Sequence, residues 1–380
     1  MFEIKLPGRI NVLGNPSDAN EGAHQTISAA INLWGGVEVK EAGALKLVLT
    51  AEEKSGEEIA AMEAPDLTGL AYGSAFDLQT AAVRTLMAYS PEFREKSRPR
   101  PGEKVPALRF WTEIPRQSGL GGSTVLVLLT LLALARFYRL DKKKHNYYVL
   151  GELAQRAEER ELAITCGFAD RYVPLFGDIA YIDYRGKLFH APIKEEPYCT
   201  YEKLGAYVDE FPLVMCSTGV QHDSGDVHRP MRARYLDEFR ACRGDYENGP
   251  RLVKIMKQVG DTAWKGKIAL LEGDLPRFGE LMNENHRLVD EMMRCCGFTH
   301  GAGEANNRMI EAGLRAGALG AKLTGAGGGG SVFMLAPPGQ EESVAQALRD
   351  ALRKNGYDQG RVFVPSIVRQ GAVMIEKDHH

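Results

Sequence analysis

Cysteine is scarce in this chain: six among 380 residues, no Cys-x-x-Cys pair, and Cys295 and Cys296 adjacent, a spacing that rarely bridges. That excludes a disulfide scaffold and predicts reduced thiols in a cytoplasmic protein. The opening Met-Phe-Glu-Ile-Lys-Leu-Pro-Gly-Arg lacks the apolar core of a secretory signal. The apolar run at Val125–Ala135 falls well short of the ~20 residues a bilayer demands, so it reads as a buried helix and no membrane partner is expected. Charge of one sign is missing too. Forty-seven basic residues meet 50 acidic ones for a net −3, which gives no electrostatic case for nucleic acid. There is no internal repeat, no low-complexity tract and no Gly-x-x-x-x-Gly-Lys-Ser/Thr loop.

The length predicts two domains. A polar, irregular stretch at 194–201 sets the expected boundary, giving domains 1–195 and 196–380. Alternating β-branched residues predict strands at Ile10–Leu13, Ile31–Lys40, Leu45–Thr50 and Leu108–Thr112. Helices are predicted at 66–90, through the Val125 run, and amphipathically over Lys142–Ile164, with a loop over Glu92–Glu103. Ile179–Tyr184 and Leu188–Pro192 read as a hairpin. The second half predicts a strand at Pro212–Ser217, a polar loop at 218–230 and helices at 231–241, 251–271, 276–293 and 304–316. Strands at Ala321–Thr324 and Ser331–Leu335, a helix at 340–353 and strand over 361–375 complete it.

Four constellations carry chemistry. Pro7-Gly8-Arg9 leads a strand into Gly14-Asn15-Pro16-Ser17-Asp18, which by itself reads as ordinary turn chemistry. Residues 115–124 (Pro-Arg-Gln-Ser-Gly-Leu-Gly-Gly-Ser-Thr) form a glycine-rich turn feeding a helix. Glycines admit close backbone approach, the first helical N–H groups lack intrahelical partners, and the dipole favours an anion there. Ser123 could instead cap that helix. Third, Glu158, Glu159 and Glu161 precede Cys166-Gly167-Phe168-Ala169-Asp170-Arg171; a carboxylate pair of this kind suits a metal ligand and a general base, or a solvated helix face. On a regular helix Glu161 falls in the apolar sector, Glu158 on its border and Glu159 opposite. Fourth, Gly325, Gly327 and Gly330 match Gly-x-Gly-x-x-Gly literally. A strand follows where a dinucleotide fold needs a helix, so that reading fails on context.

In order and content these motifs resemble the GHMP kinases (galacto-, homoserine, mevalonate and phosphomevalonate kinases) over nearly the whole chain. Leu13–Asp18, Ile114–Leu120 and Asp223–His228 with Arg232–Asp237 are most similar to glucuronokinase-like sugar kinases. The resemblance implies an α+β, two-domain fold: a ribosomal-protein-S5-domain-2-like N-terminal half and a ferredoxin-like C-terminal half. It implies ATP as donor, Mg²⁺ as cofactor, a small sugar as acceptor and a monomer or homodimer. Carried over residue by residue, Asp170 would be the base and Arg9 the charge stabiliser. Pro115, Ser118, Gly119, Leu120, Gly121, Gly122, Ser123 and Thr124 would cradle the phosphates. Ser123 with Glu158 or Glu159 would hold Mg²⁺, and Asn15, Asp18, Gly325, Gly327 and Gly328 would meet the substrate. Gly122 stands where many relatives carry serine, which leaves Ser123 for the metal. Glucuronic acid is the expected acceptor, with heptose phosphate, galacturonate, arabinose or mevalonate-type acceptors, or a non-catalytic sugar sensor, as alternatives. A uronate carboxylate invites an arginine, for which Arg229, Arg232 and Arg234 are candidates.

Overall fold

A computed structural model describes residues 1–51, 57–116, 118–187, 193, 198–220, 224–325 and 330–377, with 224–228 as backbone only. The first half runs β1 (Phe2–Leu13), β2 (Gln25–Ala42), β3 (Leu45–Thr50), β4 (Glu58–Ala64), α1 (Asp77–Tyr89), α2 (Pro91–Lys96), β5 (Val105–Thr112), α3 (Gly122–Phe137), α4 (Tyr147–Arg156), α5 (Ala169–Phe176), β6 (Ile179–Asp183) and β7 (Thr200–Lys203). The second half runs β8 (Leu213–Ser217), α6 (Ser224–Ala241), α7 (Arg251–Leu271), α8 (Leu275–Cys295), α9 (Glu304–Arg315), β9 (Gly320–Thr324), β10 (Ser331–Leu335), α10 (Glu341–Lys354), β11 (Arg361–Phe363) and β12 (Val373–Glu376).

Among the described residues these strands make two sheets, one of eight strands along β12-β1-β2-β5-β3-β4 with β6 and β7 attached through β2, and one of four in the order β11-β8-β10-β9. Among the described pairings only that of β3 with β5 is parallel. The sheets do not divide at residue 195. β7 lies beyond the expected boundary yet pairs with β6, and β12 returns from the far end of the chain to flank β1.

The period-2 pleat of the four-stranded sheet explains how the halves are joined. Val214, Cys216, Val332, Met334, Ala321 and Leu323 face one apolar cluster with α7–α10 residues, while Leu213, Met215, Phe333 and Leu335 share a core with the first sheet. α3 has ten buried residues of sixteen and is apolar almost all round, as befits a helix at the centre of that shared core.

Several expectations need correction. The helix expected from residue 66 begins at Asp77, because Asp66 turns the chain by capping a short 3-10 segment at Leu67–Gly69. The loop expected over Glu92–Glu103 contains α2, which Ser90 caps. β6 pairs with β2 and β7, while 188–192, the other arm of the expected hairpin, lie outside the described residues. α6 starts at Ser224, inside the loop expected at 218–230. The long helix over Lys142–Ile164 is shorter and changes character: α4 ends at Arg156 and Ala157–Glu161 is a π-turn. That wider turn shifts the side-chain directions, and Glu161, read as apolar-facing, is exposed and accepts from the Tyr72 hydroxyl at 2.6 Å.

One buried group sets an acid limit on this fold. His24 is fully buried, with Nε2 3.0 Å from the Tyr235 hydroxyl, and burial holds its pKa at about 4. The unfolded chain binds this proton first as pH falls below 6.5, so stability is present above that value and lost toward 4. The loss at pH 5 should be about 2 kcal/mol. The gap between urea midpoints at pH 7.5 and 5 should narrow in His24→Gln, the rest belonging to His286, which burial also holds at about 4; an undiminished pH gap in that variant would overturn the assignment.

Candidate active site

Arg9 sits on β1, 3% exposed, and organises the centre of the molecule. Its Nε donates to Asp170 Oδ1 at 2.7 Å, and its Nη2 lies 2.5 Å from Asp170 Oδ2, a bidentate pair. Its Nη1 donates to the Gly119 carbonyl and its backbone amide to the Leu120 carbonyl at 3.1 Å. The Asp170 side chain, in the first turn of α5, stays 22% accessible, so the carboxylate faces the cavity with the guanidinium behind it. Asn11 Nδ2 also donates to Asp170 Oδ1 at 3.3 Å, and Ser28 holds Asn11 in that orientation by donating to its Oδ1 at 3.0 Å. Burial alone would raise the Asp170 pKa, but the charges of Arg9 and Arg171 and the bonds from Arg9 and Asn11 hold it well below the usual carboxylate range. It is ionised.

The phosphate-loop candidates surround Arg9. Gly119 and Gly121 have φ of +73° and +84°, which favours glycine. Gly121 is the N-cap of α3 and no side chain caps the helix, whose first-turn residues Ser123 and Thr124 line the cavity. Ser123 lies inside the first turn and is not the cap: its hydroxyl donates to Glu158 Oε1 at 2.8 Å, and that of Thr124 donates to Glu158 Oε2 at 2.8 Å. Ser118 is turned away, its hydroxyl donating to the Pro115 carbonyl at 2.7 Å. Gly122 opens the helix against Ile114.

Glu158 and Glu159 part company on the π-turn. Glu158 is buried beside Ser123 in the cavity wall. Glu159 pairs instead with Arg232 Nη1 at 2.7 Å and accepts from Gln155. Among the described residues no group of three or more His, Cys, Asp or Glu could hold a metal alone. The hard oxygens of Ser123 and Glu158, side by side at an uncapped helix start, do fit a magnesium ion whose remaining ligands come from phosphates and water.

On the substrate side, Asn15, Asp18 and Gly325 line the cavity. Asp18 also accepts the Phe168 and Ala169 amides at 2.9 and 3.0 Å, which fixes the start of α5 and hence Asp170. Burial and the Asp170 charge raise its pKa, against those two amides. Asn15 donates to the Gly325 carbonyl at 3.3 Å and accepts from Lys322 Nζ at 2.8 Å. Gly327 and Gly328 lie outside the described residues. Of the three arginines considered for a carboxylate, Arg232 is buried against Ala19, Glu159 and Cys166, and Arg234 bonds Glu238 and Cys295. Exposed Arg229 reaches the Ala163 carbonyl at 3.3 Å, one residue from cavity-lining Ile164.

The sequence reading placed Asn11 in the first constellation and Lys322 and Thr324 in the fourth, whose 322–331 loop it expected to shape the substrate and phosphate side, but gave none of the three a role of its own. β9 alternates, so Lys322 and Thr324 face the site while Ala321 and Leu323 face the second cluster. Lys322 Nζ donates to the Asn11, Leu323 and Asn15 oxygens, and Thr324 Oγ1 accepts from the Asn11 amide at 3.2 Å. That alternation was the available signal.

A two-domain α+β fold with an uncapped helix start, a buried Arg–Asp pair and a Ser–Glu pair in one cavity defines a phosphotransferase class. Family models agree: GHMP kinases N terminal domain matches residues 80–178 and GHMP kinases C terminal matches 267–358. Probable glucuronokinase 2 of Arabidopsis thaliana is 30% identical over 372 residues, covering 94% of this chain and 90% of that protein. Mevalonate kinase of Pyrococcus horikoshii is 31% identical over 280 residues, 72% of this chain and 71% of that one. The solved Lactococcus lactis galactokinase, complexed with galactose, superposes with a TM-score of 0.72 at 18% identity over 98% and 94% of the two chains. The chain belongs to the GHMP kinase family, and it is a kinase with an alcohol group as acceptor. Among the described residues no helix is long and apolar enough to cross a membrane.

The loop geometry is testable. A Cβ on Gly119 would lie 2.8 Å from the Thr324 carbonyl oxygen, at a φ that alanine resists. Gly119→Ala should cost about 1–3 kcal/mol and raise the KM for ATP, read by thermal melts and steady-state kinetics. Gly122→Ala, whose Cβ would meet only Ile114 at 3.4 Å or more, should be tolerated. Equal effects at both positions would contradict the loop geometry.

Proposed function

We propose that this enzyme transfers the γ-phosphoryl group of ATP to a sugar hydroxyl, with glucuronic acid as acceptor and glucuronate 1-phosphate as product. The observation that carries the reading is the convergence of ionised Asp170, Arg9, the uncapped α3 start and the Ser123–Glu158 pair on one cavity. The α3 amides and the 119–124 backbone cradle the phosphates. Ser123 and Glu158 hold Mg²⁺, which when bound neutralises phosphate oxygens and orients the transferred group. Pro115 and Ser118 shape the turn that presents the loop. Asn15, Asp18 and Gly325 meet the sugar.

The acceptor hydroxyl forms the new O–P bond, the bond from phosphorus to the β-phosphate oxygen breaks, and ADP leaves. Asp170 takes the hydroxyl proton. A carboxylate held so far below its normal pKa is a weak base, so the proton moves late, once the forming O–P bond has acidified the hydroxyl. That order suits a loose phosphoryl transition state, which asks for positioning and charge more than for basicity. Arg9, already on Asp170, supplies the charge.

Glucuronate as acceptor rests on likeness to the plant glucuronokinase across most of both chains. Arg229, bonded to the Ala163 carbonyl next in sequence to cavity-lining Ile164, is the residue suited to its carboxylate. The likeness to mevalonate kinase covers less of both chains, and retention of Arg9, Ser123, Glu158 and Asp170 argues against a catalytically silent sensor.

Asp170→Asn should lower kcat by about 10²–10⁴-fold while calorimetry still detects ATP binding; full turnover would sink the role of Asp170. An acceptor panel with coupled ADP detection should favour glucuronate, and turnover of a neutral sugar with indifference to glucuronate would retire that choice. Arg229→Leu should raise the KM for glucuronate about tenfold, the loss of one charged hydrogen bond, and leave neutral sugars unchanged. An equal rise for both would place Arg229 outside carboxylate recognition.

A further inference from the structure

Arg171, so far only one of the charges that keep Asp170 ionised, is fully buried, lines the cavity and follows Asp170 directly. Its Nη1 donates to the Gly167 carbonyl and lies 3.7 Å from Asp170 Oδ2. Its Nη2 donates to Glu158 Oε2. Its Nε is buried with no partner among the described residues. A buried guanidinium that leaves one donor unsatisfied is held by what its other nitrogens grip, because the charge-assisted bond to Glu158 outweighs the unmade one.

The two oxygens of Glu158 are used unequally. Oε2 accepts both Thr124 Oγ1 and Arg171 Nη2, whereas Oε1 accepts Ser123 Oγ. An ionised carboxylate offers about two lone-pair sites per oxygen, so Oε2 is filled and Oε1 keeps one. We infer that Arg171, together with Thr124, is a positioning residue that locks Glu158 so that Oε1, beside Ser123, is the oxygen presented to the divalent cation of the bound nucleotide. This rests on the proposed metal role of Glu158.

Two effects of Arg171 oppose each other. Its charge repels a dication, but its grip orients the ligand, and outer-shell partners of this kind change metal affinity by about 10–100-fold. A triphosphate carries more negative charge than one divalent ion cancels. The guanidinium is therefore offset by the nucleotide, and the orienting effect prevails.

Mn²⁺ titrated into the full chain with ADP, followed by electron paramagnetic resonance, tests this without turnover. Arg171→Lys keeps the charge but not the fork that spans Gly167 and Glu158; Thr124→Val removes the other Oε2 partner and leaves every buried charge in place. Each should weaken Mn²⁺ binding about tenfold beyond any change in ADP affinity measured in chelator. Unchanged or tighter Mn²⁺ binding in Thr124→Val, or in a folded Arg171→Lys, overturns the inference. Glu158→Gln separates the two readings. If it leaves Mn²⁺ binding intact, the metal role of Glu158 falls and this inference with it. If it abolishes binding while the other variants bind normally, only this inference falls.

Discussion

The buried pair of Arg9 and Asp170 is the interaction on which the site depends. A guanidinium taken out of water needs acceptors for its nitrogens, and a carboxylate beside other carboxylates needs a cation. Arg9 meets both demands, because its third nitrogen lands on Gly119 and its amide on Leu120. One residue on β1 therefore sets the position of the base relative to the phosphate loop. The strand can do this because β2 pairs with it from Phe2 to Leu13, with β12 flanking its first residues, Phe2–Lys5. Withdrawing Arg9 would leave Asp170 and Asp18 facing each other in a low-dielectric pocket without their principal counter-charge.

The second sheet enters the site through the same strand. Lys322 reaches from β9 to the Asn11 carbonyl and Asn15, and Thr324 takes the Asn11 amide and donates to the Gly119 carbonyl at 3.4 Å. Gly119 and Gly325 approach so closely that a Cβ on Gly325 would lie 3.1 Å from the Gly119 Cα. The glycines of the two loops are thus explained in part by each other: backbone meets backbone where no side chain fits. The three sequence motifs, hundreds of residues apart, make one hydrogen-bonded unit.

Sequence reading found what local periodicity and local chemistry encode. The strands carrying Arg9 and Lys322, the apolar α3 and the glycine turn before it all have patterns that repeat within a few residues. It failed where a tertiary contact decides. α5 is short and interrupted by Pro174, and its start is stabilised by Asp18 from far upstream, so no local signal announces it. β12 belongs to the first sheet because β1 has an open edge, a fact invisible at residue 373. The choice between Glu158 and Glu159 rested on a regular helix. Periodicity leaned toward Glu158, and that residue does lie beside Ser123, but the same reasoning put Glu161 in the apolar sector because it could not anticipate the π-turn.

That segment has a consequence for how the cavity is built. Two adjacent carboxylates are sent to opposite duties, Glu158 toward the α3 start and Glu159 toward Arg232 on α6. Arg232 in turn donates to the Ala19 carbonyl, at the end of the sugar-side turn, and to that of Cys166 in the cavity wall. The phosphate side and the sugar side are therefore linked through a single turn of backbone. Even a regular helix rotates neighbouring residues by about 100° and keeps residues four apart in reach, so Glu159 can meet Gln155 and α6 while Glu158 turns to Ser123. In the proposed function this one short segment would touch both substrates, which suits phosphoryl transfer, governed by relative position more than by bond-making groups.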